Sequence, residues 1–546
     1  MLTRLVVAIR LRRSLQLRLG RMPLLLFVML CIFVAGCGNT EKMPSQAKEI
    51  AMGGQLKFGS LYEPNTLNPL LSELLTVSEV GMLIFSGLTV MNDKGEWLPD
   101  LAAEVPTLQN GGVSQDGLVV TYKLKQGVTW HDGAPFTAED VKFTWQMITN
   151  PKINVFQREG YNKIVAIETP DKYTVTIRFK EYYPPYLTLF NFVMPKHILA
   201  SVEDINKSAF NRAPIGTGPF KLKKWHLAEA IVLEANPSYF RGKPNLDSIV
   251  YKIVPDQNIL LSQLKAGELD IVNNIDSAQL DQVKAIDAIQ VYITPSLVWE
   301  HLDFNLDNRL FQDVRVRQAI MYSIDRRSIV NNILKDAAIL ASETTNPARD
   351  VDRARDLLIQ AGWKQGSDGI FAKDGQKLIF SLTITAGNKV RESAAQLIAD
   401  QLREVGIGVE VSTVDQGLFF EDVLKTRKFQ TAMYSWVLGV EPDIYSLWHS
   451  KRIPTSSNGY TGQNYPGWRN AEVDGLVEAS TRTIDVEKRR QIYYRVQEIM
   501  ERECPVVPLY YRANIDAVKK NVVNYKSNPS CSGNLWNAWE WGFSAK

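Results

Sequence analysis

The sequence predicts a mixed α/β protein built from at least two lobes. Some segments alternate between apolar and polar residues, as strands do, and others have the apolar spacing of helices. The two kinds of segment follow one another along the chain, which is typical of largely parallel sheets covered by helices. The chain has 546 residues, more than the roughly 250–300 that one hydrophobic core usually holds. Its composition, 45% hydrophobic and 22% charged, is that of a globular protein.

Residues 1–36 predict a signal peptide that ends at a lipidation site. Six arginines precede the apolar run Leu24–Ala35, and no acidic residue occurs before Glu41. The run is shorter than the roughly 20 residues that span a bilayer. The run ends on Val-Ala-Gly-Cys, which resembles a bacterial lipobox, so we predict cleavage before Cys37 and a lipid on its thiol. An uncleaved anchor helix is the alternative. Residues 37–52 follow as a polar tether.

The charge balance gives no indication of a nucleic-acid partner. The formal net charge of the whole chain is +3, and removal of residues 1–36 with their six arginines changes it to −3. Once Cys31 is cleaved off and Cys37 is lipidated, Cys504 and Cys531 are the remaining cysteines. Outside the cytoplasm they can form a disulfide, and two free buried thiols are the equal alternative.

Helix and strand patterns follow one another after the tether. Helical spacing predicts helices over Thr76–Leu88, Thr137–Ile148, Asp313–Leu334, Asp350–Trp363, Val390–Gly406 and Val486–Glu503. Alternation predicts a strand at Gly53–Ser60, a strand pair in Gly117–Trp130, a hairpin in Ile164–Phe179, and strands on both sides of Val390–Gly406; Asn258–Val272 reads as a helix and then a strand. Thr137 and Asp140 have the spacing of a helix-capping pair.

Enzyme and cofactor motifs are missing from the sequence. There is no Gly-x-Ser-x-Gly, no His-Glu-x-x-His and no phosphate loop. Ser262 and Lys265 match a Ser-x-x-Lys pattern but lie inside a predicted helix, without the other elements of penicillin-binding enzymes. The five histidines lack the spacing of metal ligands. We therefore predict a protein that is not an enzyme and needs neither cofactor nor metal.

Five ordered segments resemble the family 5 extracytoplasmic solute-binding proteins, the peptide- and nickel-binding components of ABC importers. They read LVVTYKLKQGVTWHDGAPFTAEDVKFTWQ, PIGTGPFKLKKW, QLKAGELDIV, WEHLDFNLDNRLFQDVRVRQAIMYSIDRRSIV and DIYSLWHS. The resemblance implies a two-lobed, periplasmic-binding-protein-like fold (type II, cluster C) with an inserted subdomain and a two-strand hinge. Lobe I would comprise residues 53–92, 194–295 and 509–546, the inserted subdomain 93–193, and lobe II 296–508.

The function that the resemblance implies is capture of a small solute between two closing lobes. The protein would be a monomeric lipoprotein on the outer side of the cell membrane, periplasmic if an outer membrane exists, that delivers its solute to the permease subunits of an ABC transporter. A peptide is the first expectation for the solute. A nickel chelate, an oligosaccharide or a signalling peptide are alternatives, and an exported hydrolase is the least favoured because no nucleophile and base are found.

Peptide-binding relatives hold their ligand as an added β-strand, and the resemblance assigns two edges for it here. The edge in lobe I is the segment Ser72–Val77, and the edge in lobe II is Tyr434–Asp443. The predicted solute contacts are Glu73, Leu74, Leu75, Thr76, Trp299, Glu300, Trp436, Val437, Leu438, Gly439 and Asp443. Packing in the core is the alternative for the two tryptophans.

Two departures from the family pattern concern this site. Peptide-binding relatives carry an aspartate shortly after the tryptophan of the second edge, which pairs with the α-ammonium group of the peptide, since a buried ammonium needs such a partner. Here the first acids after Trp436 are Glu441 and Asp443. We predict Asp443 as the partner, with Glu300 second and Glu441 and Glu73 as further alternatives. The connection 335–350 is also short and poor in glycine and proline, which predicts either a wider cleft entrance or a degenerate connection.

Overall fold

The computed structural model describes residues 49–341, 347–439, 441–530 and 532–545. The predicted signal peptide, Cys37, most of the tether and Cys531 lie outside these ranges. None of the helices in the described ranges combines the length and the apolar character needed to cross a membrane.

The strands and helices alternate along the chain, as predicted. In chain order the strands are β1 (Ile50–Ala51), β2 (Gln55–Ser60), β3 (Thr89–Met91), β4 (Trp97–Pro99), β5 (Val119–Lys123), β6 (Ile164–Asp171), β7 (Thr174–Phe179), β8 (Phe220–His226), β9 (Ala230–Ala235), β10 (Ser248–Ile253), β11 (Ile271–Val272), β12 (Ile289–Phe304), β13 (Ala338–Leu340), β14 (Lys364–Gln365), β15 (Phe371–Lys373), β16 (Gln376–Lys377), β17 (Ile379–Thr385), β18 (Gly408–Val414), β19 (Thr431–Val437), β20 (Val506–Lys519), β21 (Val522–Val523) and β22 (Gly542–Ser544). The helices are α1 (Leu75–Ile84), α2 (Ala138–Thr149), α3 (Lys196–Leu199), α4 (Gln257–Lys265), α5 (Leu280–Lys284), α6 (Val314–Ser323), α7 (Arg326–Ser328), α8 (Val351–Gln360), α9 (Lys389–Val405), α10 (Gln416–Leu418), α11 (Ile444–Trp448), α12 (Ala471–Ser480) and α13 (Val486–Glu503).

One 11-stranded sheet runs through both predicted lobes. Its strand order is β18-β17-β19-β12-β20-β11-β2-β10-β9-β8, and β13 pairs with β20 beside this path. Strand β2 is parallel to β10 and β11, and β17 is parallel to β18 and β19, but the other pairs of this sheet are antiparallel. The prediction of largely parallel sheets was therefore wrong, and the sheet is mixed. The reason is that β12 and β20 run between the lobes and pair antiparallel with each other.

The two long strands change register at two places, between Pro295 and Trp299 and between Glu300 and His301, and the longer gap lies where a hinge is expected. Residues Ile289–Pro295 of β12 pair with Ala513–Lys519, and pairing resumes only at Trp299 with Tyr511. In the gap the Ser296 hydroxyl donates to the Arg512 carbonyl at 2.9 Å, and the Val298 amide donates to the same hydroxyl at 3.2 Å. A side chain thus replaces ladder bonds in the gap, and such an irregularity in a strand pair bends more easily than a continuous ladder.

Three hydrophobic clusters can be compared with the proposed division into lobes. One cluster is drawn entirely from residues between Leu88 and Val193 and packs on the sheet β5-β7-β6 of the inserted subdomain. A second cluster is drawn from residues between Leu302 and Tyr510 and lies in lobe II. A third joins residues of β2 and α1 to C-terminal residues such as Trp541, and it also includes Met147, Ile148, Ile153 and Val155 of the inserted subdomain. The lobe boundaries themselves remain our proposal.

Several predicted elements are present, and two are corrected. Strands β6 and β7 form the predicted antiparallel hairpin, and Thr137 and Asp140 cap α2 reciprocally. The helix predicted over Asp313–Leu334 is broken, because Asp325 accepts a hydrogen bond from the Ser328 amide and starts a new turn. In Gly117–Trp130 the described structure has one strand, β5, and not a pair.

Candidate functional site

The end of strand β19 forms an exposed edge in lobe II. Trp436 pairs with Trp299 and Val437 with Val298 on β12, and the Leu438 amide donates to the Leu297 carbonyl at 2.9 Å. Beyond the tryptophans the chain becomes accessible, with Val437 78% exposed and Gly439 exposed. An apolar side chain left in water at the end of a core strand is a candidate solute contact.

The two tryptophans of this region differ in their surroundings. Trp299 is 7% exposed and stacks on His301, with ring centroids 4.2 Å apart, so it is a core side chain. Trp436 is half-buried and stacks on Tyr465 at 5.9 Å. The core-packing alternative therefore describes Trp299, and Trp436 keeps accessible surface with which it can meet a solute.

The predicted edge in lobe I is a loop that leads into α1. Leu74 is 43% and Leu75 is 55% exposed, and Glu73 is exposed as well, so these three side chains are accessible. No strand forms over Ser72–Val77, because the helix begins at Leu75. Thr76 is buried, and its hydroxyl has no hydrogen-bond partner among the described residues. The prediction for Thr76 is therefore corrected to a buried side chain, which is not accessible at the surface as Glu73, Leu74 and Leu75 are.

Glu300 is held by two arginines in the interior. Its Oε1 lies 2.5 Å from the Arg391 Nε, and its Oε2 lies 2.7 Å from an Arg512 amino group. Burial alone would raise the pKa of Glu300, but the two guanidinium groups outweigh it and hold that pKa below its usual value. The carboxylate is fully buried and already paired, which corrects the prediction that it can receive a ligand ammonium group.

The three other candidate carboxylates are not equivalent. Glu441 binds Arg489 through both oxygens, at 2.9 and 3.1 Å. Asp443 is exposed and uses one oxygen to cap α11 through the Ser446 amide at 2.9 Å. Glu73 is exposed and forms no ion pair or hydrogen bond within the described ranges. Asp443 in lobe II and Glu73 in lobe I are therefore the carboxylates still available to a cationic group.

Tyrosines of the inserted subdomain face this part of lobe II, and the sequence prediction missed them. Burial, together with the charges of Glu159 and Asp443, raises the pKa of Tyr183 to about 12. Its neighbour Tyr182 accepts a hydrogen bond from Arg489. The aromatic run Tyr-Tyr-Pro-Pro-Tyr in 182–186 was the available sequence signal.

Metal binding and thiol chemistry can be assessed for the described residues. No group of three or more His, Cys, Asp or Glu side chains is arranged to hold a metal ion in the part of the chain that is described. Cys504 is a buried free thiol whose sulfur lies 3.9 Å from the Met321 sulfur. Burial raises its pKa to about 12, so it stays protonated. Cys531 lies outside the described ranges, so a disulfide with Cys504 and two free thiols stay the two alternatives predicted from the sequence.

Helix α1, which starts at the exposed loop, carries a buried acid. Glu79 is 5% exposed and accepts hydrogen bonds from the Tyr251 hydroxyl at 2.5 Å and from the Asn273 amide group. Burial raises the pKa of Glu79 to about 7, the two hydrogen bonds oppose this shift, and the charge of Asp516 adds to it. Near neutral pH this group therefore changes its protonation state inside lobe I.

We expect Glu79 to make the protein less stable as the pH rises. Its folded pKa, about 7, lies above the ordinary value of 4.5, so its contribution is fully present below pH 4.5 and is lost as the pH rises through 7. The loss is up to roughly 3 kcal/mol. Urea denaturation of the full chain in detergent, at mildly acidic and mildly basic pH, should show that Glu79→Gln flattens this dependence. Glu268→Gln, at an exposed position, should leave it unchanged, and equal slopes in wild type and Glu79→Gln would contradict the assignment.

Comparisons with known proteins agree with this geometry. Residues 96–457 match the family described as bacterial extracellular solute-binding proteins, family 5 Middle. The chain is 31% identical to the oligopeptide-binding protein AppA of Bacillus subtilis (strain 168), over 95% of this chain and 98% of that protein. A solved structure of AppA from B. subtilis in complex with a nonapeptide superimposes with a TM-score of 0.64, at 31% identity and covering 91% of this chain and 100% of that one.

A second solved structure has a different ligand. NikZ from Campylobacter jejuni, in complex with Ni(L-His), superimposes with a TM-score of 0.67 at 29% identity, covering 89% of this chain and 99% of that one. The predicted family and the two-lobed, type II fold are thereby confirmed. This chain belongs to family 5 of the bacterial extracellular solute-binding proteins.

Proposed function

We propose that this protein captures peptides between its two lobes and delivers them to the membrane permease of an ABC importer. The proposal rests on two features that occur together. The strand end at Val437 is exposed, and two available carboxylates, Asp443 and Glu73, belong to opposite lobes. A peptide offers what such a site can hold: a main chain that adds to a strand end, side chains for apolar contacts, and an α-ammonium group for a carboxylate. The oligopeptide-binding relative AppA supports the same substrate class.

A nickel chelate is the second candidate, because one relative was solved with Ni(L-His). Within the described ranges no three ligating side chains converge on one point, so the metal would have to arrive with its own chelator. The exposed Leu74, Leu75 and Val437 favour a partly apolar ligand over a compact metal complex. Peptide capture is therefore favoured over capture of a nickel chelate.

Mass spectrometry of the co-purified solute separates these functions. We expect the full chain, purified in detergent without added ligand, to carry peptides of several masses in native spectra. Elemental analysis of the same sample should find nickel well below one equivalent. The peptides should remain intact after prolonged incubation with the protein, since binding without bond cleavage is proposed; shortened peptides would favour a hydrolase. Stoichiometric nickel with a small chelator would overturn the peptide proposal.

We also propose that a lipid on Cys37 holds the protein at the membrane. Family membership places the chain outside the cytoplasm, and the lipobox at Val-Ala-Gly-Cys supports the anchor. Cys37→Ser should abolish labelling by a fatty-acid analogue and leave the precursor unprocessed. The thiol of Cys37 is the group that is acylated, and the signal peptidase cuts before this residue. Cys31→Ser is the matched control and should be labelled like wild type. Absence of label on the wild-type protein would contradict the anchor.

A further inference from the structure

The inserted subdomain touches lobe II directly through a tyrosine and an arginine. Tyr182 follows β7 in the inserted subdomain, and Arg489 lies in the first turn of α13 in lobe II. The Arg489 Nη1 donates a hydrogen bond to the Tyr182 hydroxyl at 3.3 Å. Because Tyr182 belongs to the proposed inserted subdomain and Arg489 to the proposed lobe II, separation of these two parts would break the bond.

A glycine provides a second contact between the same two parts. Gly117 sits at the turn before β5 with a φ of +69°, a conformation that favours glycine. A Cβ atom there would lie 2.5 Å from Tyr182 Cδ2 and 3.0 Å from Ile484 Cδ1. The side chain of Ile484 from lobe II is therefore seated against the Gly117 backbone and the Tyr182 ring, where nothing larger than a hydrogen atom fits.

Arg489 organises the lobe II side of both contacts. Its guanidinium binds the two oxygens of Glu441 at 2.9 and 3.1 Å, and Nη1 also donates to the Thr483 carbonyl at 2.7 Å. The two bonds to Glu441 fix the segment that carries Asp443. The bond to the Thr483 carbonyl fixes the connection that carries Ile484. The Arg489 side chain is only 3% exposed, so these bonds form where water competes little.

We propose that Arg489 and Tyr182 form a latch that holds the inserted subdomain on lobe II and closes the cleft over its solute. The identity of the solute rests on the proposed function, but the closure equilibrium itself does not require a solute. A hydrogen bond with a charged donor is stronger than a neutral one, and an interaction present only in the closed state shifts the population toward that state. Arg489 is a positioning residue, because it acts through Glu441, Ile484 and Tyr182.

The latch can be tested on the full chain in detergent without any solute. Gln126 in the inserted subdomain and Lys488 in lobe II are both exposed and can be replaced by p-acetylphenylalanine to carry a donor and an acceptor dye. Single-molecule energy transfer then reports the ratio of closed to open molecules. Tyr182→Phe, which removes only the hydroxyl, should lower this ratio about tenfold. Gly117→Ala, which wedges a methyl group into the contact, should lower it as well.

The matched control is the neighbouring Tyr186→Phe. The Tyr186 hydroxyl donates to the Pro106 carbonyl at 2.9 Å inside the inserted subdomain, so its loss should leave the ratio unchanged. If Arg489 only stabilises the fold of lobe II, Tyr182→Phe will behave like this control, and the latch is overturned. With penta-alanine as probe, Tyr182→Phe should raise the dissociation rate and spare the association rate. Failure of penta-alanine to bind wild type counts against the peptide proposal, while the solute-free ratios still decide the latch.

Discussion

Glu300→Gln is expected to lower the free energy of unfolding by about 3–5 kcal/mol, the usual cost of breaking a buried ion pair from one side. The substitution leaves the Arg391 side chain, which is 7% exposed, next to Arg512 without the negative charge that both now share. The pKa of Glu300 is held below its usual value, so its contribution is present above the unfolded pKa and is lost as the pH falls. Urea denaturation of the full chain at neutral pH measures the change.

Two further variants serve as comparisons for Glu300→Gln. Glu404→Gln breaks an exposed pair with Arg349 and should change stability by less than about 1 kcal/mol. The double variant Glu300→Leu with Arg391→Met removes the two most deeply buried charges of the cluster and leaves Arg512, whose side chain is 32% exposed and can be solvated. It should recover much of the loss, because paired burial of charge is costly in itself. If Glu300→Gln is no worse than Glu404→Gln, the charge cluster does not stabilise the hinge region.

Asp443→Asn is expected to weaken binding of a free-amine peptide by roughly 30-fold or more, because truncating one partner of a desolvated charge pair costs about 2–5 kcal/mol. Asparagine keeps the cap on α11, since Asp443 serves there only as an acceptor for the Ser446 amide. The variant therefore removes charge without removing the helix start. Titration calorimetry with penta-alanine and with N-acetyl-penta-alanine compares the two ligands, and the acetylated one should bind wild type and variant alike.

Glu73→Gln is the competing variant for the same role. If it discriminates between the free and the acetylated peptide and Asp443→Asn does not, the amine is bound from lobe I. If neither variant discriminates, the amine is not recognised by a carboxylate of this site, and a solute other than a peptide becomes the better hypothesis.

Most of the helices and strands could be predicted from the sequence alone, because they depend on local patterns. Thr137 and Asp140 are three residues apart, so their reciprocal cap depends on nothing distant. The hairpin of β6 and β7 is equally local, and the ordered landmarks fixed the family. The break at Asp325 was missed because apolar spacing continues across it, although an aspartate is a common helix start.

The candidate site was harder to predict, because its charges are paired over long distances in sequence. Glu300 meets Arg391, 91 positions away, and Arg512, 212 positions away, and no local pattern reveals either partner. Its predicted role came from its position after Trp299, yet successive residues of a strand point to opposite faces. The pairing of Glu441 with Arg489 spans 48 positions and was hidden in the same way. Asp443 and Glu73 are available because no arginine or lysine of the described residues forms an ion pair with them.

The pairing of β1 with β22 has a consequence for how the protein is made. These are the first and the last strands described, Ile50 lies opposite Ser544, and the lobe I half of β20 also belongs to the C-terminal part of the chain. A ribosome releases the N-terminus first, so lobe I lacks some of its strands until synthesis is almost complete. Contacts between distant parts of a chain also form slowly. A polypeptide that lacks these last strands cannot complete its first lobe, so lobe I stays unfinished until the C-terminal segment has been made.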